Sequence, residues 1–127
     1  MVSEIYTGTE RRRVPRIKYE GQSQVAGKGT DGIMHAELCL FVNLSESGCC
    51  VKSPISFNEG SELNITFKLP GLLNIFVRCT VKVVWCTLYP VERCYLLGLA
   101  FGQLSSYDLT ALRSFILTEV RNKNEIV

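Results

Sequence analysis

The sequence predicts a mainly β chain: a closed or nearly closed antiparallel barrel of six strands with one C-terminal α-helix over an opening. Two observations lead there. Between Ile17 and Phe101, short runs alternate apolar and polar residues and are separated at regular intervals by turn residues. After Gly102 the period changes, and Leu109, Leu112, Phe115, Ile116 and Val120 repeat at three and four, one face of a helix.

The elements follow in order. Ile17 to Val25 is polar with spaced apolar residues and reads as the first strand. Gly27 to Gly32 is a turn by composition. His35 to Leu44 alternates and is rich in Leu, Val and Phe. It ends in Asn43-Leu44-Ser45-Glu46-Ser47-Gly48, a turn of short polar side chains and glycine. Cys49 to Ser53 is a short third strand closed by Pro54, and Asn58-Glu59-Gly60 turns the chain again. Leu63, Ile65, Phe67 and Leu69 give a half-buried fourth strand, and Pro70-Gly71 ends it. In the longest run, Ile75, Val77, Cys79, Val81, Val83 and Trp85 share one face, which assigns Trp85 to the core. Tyr95, Leu97, Leu99 and Phe101 form the last strand, with Gly98 and Gly102 permitting a bend or close approach. Ser105 and Asp108 make a capping box with Asp in place of Glu, so the helix covers about 106 to 121.

With 127 residues, 46% of them hydrophobic and 20% charged, the chain has the size and composition of one domain with a real core. Residues 1–10 carry no periodicity and are expected to be a flexible tail. Residues 11–127 form the barrel domain with its helix. No basic stretch followed by an apolar run opens the sequence, and no apolar run is long enough to span a bilayer, so a soluble, cytoplasmic protein without membrane insertion is expected. In that compartment the Asn-x-Ser/Thr triplets at Asn43 and Asn64 are not glycosylated.

Six cysteines, Cys39, Cys49, Cys50, Cys79, Cys86 and Cys94, include no Cys-x-x-Cys spacing, and His35 is the single histidine. That pattern speaks against a metal site and, in a reducing compartment, against disulfides. The cysteines read as small buried hydrophobes. The neighbours Cys49 and Cys50 point to opposite faces of a strand, which would leave one exposed and reactive. His35 reads as a strand-surface residue without a partner.

Charge is distributed unevenly. Without Arg11, Arg12, Arg13, Arg16 and Lys18, the 14 Lys and Arg fall to 9 against 12 Asp and Glu, and the net charge moves from +2 to −3. A basic segment is therefore set on a slightly acidic body. Arginine suits phosphates and guanine edges, because its planar fork donates two parallel hydrogen bonds and keeps its proton. Pro15 fixes its own φ and biases Val14 towards an extended backbone, so Arg12 and Arg16 are presented on a stiffened, non-helical segment. Gly27-Lys28-Gly29-Thr30 does not complete a phosphate loop: the glycine spacing is wrong, Gly29 stands where a hydroxyl is needed, and no helix pattern follows.

Arg12-x-x-x-Arg16 just before the first strand, Asn43-x-Ser45-x-x-Gly48 after the second, Trp85 with Leu97-Gly98-Leu99-Ala100-Phe101, and the closing helix together resemble the PilZ domain family over nearly the whole chain. The resemblance implies a six-stranded PilZ-like barrel that binds the bacterial second messenger cyclic di-GMP, with no cofactor, no metal and no catalysis. It implies that Arg12 and Arg16 grip phosphates, stack on guanine or donate to its O6 and N7 edge. Asn43 would accept from guanine N–H groups, with less pull than a charged Asp. Ser45 would offer its hydroxyl to guanine or phosphate. Gly48 would allow close backbone approach or a positive φ. In the family, the residue before the first motif arginine influences whether one ligand or a stacked pair binds. Arg11 there implies a stacked pair, whereas Arg13 faces away.

Other classes fit less well. A nucleic-acid binder needs a wide basic face with interleaved aromatics, and the body is net negative. No triad, metal set or carboxylate pair for an enzyme can be assembled. A ligand-free interaction module of the same family is opposed by the intact motifs. With no second domain in the sequence, the expected output passes to an unidentified effector protein in motility, pilus or exopolysaccharide control, from a monomer or weak homodimer.

Overall fold

Alternation builds the walls of the molecule. In the strand Glu62–Leu69, the side chains of Leu63, Ile65, Phe67 and Leu69 point inward and are buried, while Glu62, Asn64 and Lys68 stay exposed. The computed structural model describes residues 16–71 and 75–126. Its elements are β1 (Ile17–Lys18), β2 (Gln22–Lys28), β3 (Met34–Leu44), β4 (Gly48–Ser53), β5 (Glu62–Leu69), β6 (Ile75–Tyr89), β7 (Cys94–Phe101) and α1 (Ser106–Ile126). A 3-10 turn, Pro90–Glu92, joins β6 to β7.

All pairings are antiparallel. They run β3–β2–β5–β6–β7–β4, and β4 returns to β3, so six strands close a barrel as the sequence predicts. The predicted first strand is split in two. β1 and β2 both pair with β3, but Ile17 faces Leu44 whereas Gln22 faces Leu40, leaving one extra residue between them. Tyr19 occupies that break. Its ring covers Gly21, where a Cβ would collide with the phenol, and packs between Phe41 and Phe115 at centroid distances of 5.3 and 5.4 Å.

The helix covers one end of the barrel. β3 stops, β4 starts and β7 stops at that end, since Leu44 pairs with Cys49 and Gly48 with Ala100. Leu112 and Ile116 are fully buried there among the barrel's inward side chains, each contributing about 1.5–3 kcal/mol by burial. The Asp108 N–H donates to the Ser105 hydroxyl at 3.0 Å, the cap that the sequence announces. The helix runs to Ile126, past the predicted end at 121. Arg113 Nε donates to Glu46 Oε1 at 2.6 Å, tying the helix to the β3–β4 turn. Among the described residues, no helix is long and apolar enough to cross a membrane.

Candidate functional site

Two irregularities in pairing create the candidate site. Register slips in β3 between Phe41 and Asn43, and in β6 between Val83 and Trp85. Each slip inserts an extra residue, so strict alternation fails beyond it. The outward row that results crosses four strands, because Asn43 pairs with Cys50, Cys50 with Gly98, and Gly98 with Trp85. With Arg16, these residues line a groove of about 560 Å3 on the outside of the barrel.

Trp85 corrects the sequence reading. It was assigned to the core as a continuation of the apolar face of β6, yet it is 38% exposed and forms one wall of the groove. The extra residue, Val84, is 55% exposed and absorbs the slip. Gly98 is the complement of Trp85: a Cβ at 98 would collide with the indole. Three successive apolar residues, Val83-Val84-Trp85, facing a lone glycine in an apolar strand were the available signal.

At the other end of the row, Arg16 Nη1 donates to Asn43 Oδ1 at 2.6 Å, joining positions 27 residues apart. The same oxygen accepts the Cys50 backbone N–H at 3.1 Å. Asn43 thus holds the arginine and also satisfies a strand donor next to the slip. β1 makes this possible, because Lys18 pairs with Asn43 and brings Arg16 to the groove's edge.

The turn of the second motif has a different internal logic from the expectation. Ser45 is buried, with 1% of its surface exposed, and its hydroxyl works within the turn. It donates to the Gly48 carbonyl at 3.2 Å and accepts the Ser47 N–H at 3.3 Å. Ser47, exposed, lines the groove in its place. Gly48 has no positive φ. Its requirement is space, since a Cβ would collide with the Leu99 carbonyl across β4 and β7. Arg11, Arg12 and Arg13, and the tail expected over residues 1–10, lie outside the described residues.

The cysteines are free thiols, and neither Cys49 nor Cys50 is the exposed, reactive one that alternation suggested. Cys49 faces the core at 2% exposure, and Cys50 sits in the groove floor at 7%. Burial raises both thiol pKa values, and the Arg16 guanidinium opposes that rise without overcoming it. His35 has partners after all: Nε2 lies 2.9 Å from Asp31 Oδ2 and Nδ1 lies 3.2 Å from Glu37 Oε2. These contacts, led by the Asp31 hydrogen bond, raise the imidazole pKa. Asp31 moves the other way, held low first by the Ile33 N–H and then by His35. Among the described residues, no three His, Cys, Asp or Glu side chains are grouped to hold a metal ion.

Comparison with known proteins agrees with this architecture. The family model described as PilZ domain matches residues 10–118. MotI/DgrA, the inhibitor of motility of Bacillus subtilis, superposes with a TM-score of 0.73 at 20% identity, covering 89% of this chain and 53% of that one. The PilZ domain of YcgR from Escherichia coli, solved with c-di-GMP, gives 0.62 at 18% identity over 92% of this chain and 99% of that one. MrkH of K. pneumonia, solved as a c-di-GMP complex, gives 0.64 at 18% identity, covering 92% and 56%. The chain thus spans about half the length of MotI and of MrkH. No curated protein matches it by sequence. A family model that runs from the arginine segment into the helix, over a barrel of the same topology, makes this chain a member of the PilZ domain family.

Proposed function

We propose that the chain is a receptor for cyclic di-GMP, which binds in the groove between Arg16 and Trp85, and that the occupied state is relayed to an effector protein. The observation that carries the reading is the Arg16–Asn43 hydrogen bond, which joins the two motifs at one groove. Cyclic di-GMP offers two guanines and two phosphates. The Arg16 guanidinium suits a phosphate or a guanine edge, and the indole of Trp85 offers a π-face to a purine. Asn43 acts by orienting Arg16, and Ser45 and Gly48 by holding the turn that carries Ser47 to the groove. Arg11 and Arg12 complete the cationic clamp, with Arg11 stacked on a second ligand molecule.

The YcgR PilZ domain solved with c-di-GMP and the MrkH–c-di-GMP complex, both of similar fold, support this reading. Calorimetric titration with cyclic di-GMP, using GTP and cyclic di-AMP as controls, tests it. Selective saturation at two ligands per chain, lost in Arg16→Ala, is the expected result. A folded chain that binds none of the three would instead make this a ligand-free interaction module.

A further inference from the structure

The first half of β3 has its polarity reversed. Its inward positions are His35 and Glu37, while the outward Met34, Leu38 and Leu40 are 68%, 69% and 47% exposed. A strand that only closes a barrel places apolar residues inside and polar ones outside. The neighbouring β2 and β5 keep the usual polarity, with polar side chains outward. Leu38 pairs with Gln24, and Gln24 with Thr66 on β5. On β6, Phe76 is 54% exposed. Leu38 and Phe76 border a shallow groove of about 410 Å3 floored by Gln22, Gln24 and Thr66. This wall, β3–β2–β5–β6, lies across the barrel from the row that ends in Trp85, which uses β3–β4–β7–β6.

The charges around it select the occupant. Outward positions of these strands carry Lys28, Lys68, Arg78 and Lys82 against one carboxylate, Glu62, which is itself paired across the strands with Lys82. A second copy of the chain would bring cations against cations. The chain's own residues 1–15 carry three successive arginines, Arg11 to Arg13, and fit no better. A lipid surface would desolvate Gln22, Gln24 and Thr66 without offering hydrogen bonds in return. A protein surface with an apolar ridge flanked by Asp and Glu meets each demand.

We propose that this wall is the docking surface for an acidic partner protein, with its apolar ridge seated between Leu38 and Phe76 and its carboxylates on Lys28, Lys68 and Arg78. The inference does not depend on which ligand fills the opposite groove.

Photocrosslinking in the cells that make the protein tests it. A benzophenone amino acid replaces Gln24 at the centre of the wall, or Thr87 on the opposite wall as control. The protein captured is identified and purified, and its binding to the chain is measured. The expected result is a protein adduct at position 24 and none at 87, with binding weakened about tenfold or more by Leu38→Glu and by the Lys68→Glu, Arg78→Glu pair. Rising salt should weaken it too. Leu38, Lys68 and Arg78 are exposed, so each variant should keep its melting temperature. Three outcomes overturn the proposal: no protein adduct at position 24, a captured partner that binds the variants as well as the parent, or Leu38-dependent pelleting with phosphatidylglycerol vesicles in place of a protein adduct.

Discussion

The indole of Trp85 on β6 covers Gly98 on β7 so closely that no other residue type fits at position 98 without moving the ring. The pair joins two strands across the groove. Gly98→Ala should displace the indole and weaken cyclic di-GMP binding by roughly tenfold, about 1.4 kcal/mol. The fold should persist, because the ring is partly exposed where it stands. Titration of the variant beside a thermal melt checks both halves. Unchanged affinity would mean that the indole takes no part in binding.

Arg16 and Asn43 should separate binding from stability. Arg16→Ala removes an exposed guanidinium and should abolish ligand binding at little cost to the barrel. Asn43→Ala loses binding too, but also leaves the Cys50 N–H without its acceptor, which costs about 1–2 kcal/mol for a buried donor. Urea denaturation of the two variants should therefore differ. Equal midpoints would mean that Asn43 serves the ligand alone.

Gly48→Ala should be the most damaging small change in the turn. The added Cβ meets the Leu99 carbonyl and Ala100 Cα, backbone atoms of the neighbouring strand that cannot swing aside. We expect a loss of more than ~2 kcal/mol, with β4 and β7 forced apart. Hydrogen exchange at Cys50 and Leu99 should report the opening.

His35 is the single histidine, so its titration can be followed by NMR without assignment. Its pKa should lie above the ordinary imidazole value of about 6.5 and fall back in Asp31→Asn. The raised pKa means that the charged imidazole stabilises the folded chain at pH below its unfolded value. That stabilisation is lost as pH rises through the folded value. Asp31, held low, contributes above its unfolded value and stops contributing as pH falls through its folded one. The pair therefore supports the β2–β3 hairpin fully between the unfolded pKa of Asp31 and the unfolded pKa of His35, and fades outside that window as either folded value is passed. An imidazole that titrates at its ordinary value would show that the contact does not persist in solution.

Thiol reactivity should divide the cysteines. Burial lifts Cys39 and Cys79 to about 11 and raises Cys49 and Cys50 as well. At pH 8 the native chain should yield two fast thiols to an aromatic disulfide reagent, the partly exposed Cys86 and Cys94. All six should react in urea. Fast labelling of Cys50 would show that the groove floor opens.

Much of this was legible in the sequence, and the failures share a cause. Leu63, Ile65, Phe67 and Leu69 declare their strand because period two holds over the whole run, and Ser105 declares the start of the helix. Trp85 was misplaced because alternation assigns faces only while register holds, and an extra residue at Val84 is invisible to it. His35 seemed partnerless because Asp31 approaches it only once the β2–β3 turn has formed. Spacing says that Ser45 lies in a turn, but not that its hydroxyl is directed inward to the Gly48 carbonyl. The proximity of Arg16 and Asn43 depends on which strands pair, a choice that only the family resemblance foreshadowed.

The chain has one tryptophan, and a single extra residue has moved it from the core to the groove. Its ultraviolet emission is therefore sensitive to whatever fills that groove. A purine laid against the indole would quench it, and an empty groove would leave it in partial contact with water. An unlabelled solution of the protein is in that sense its own gauge, with no dye or tag between the binding event and the light it changes.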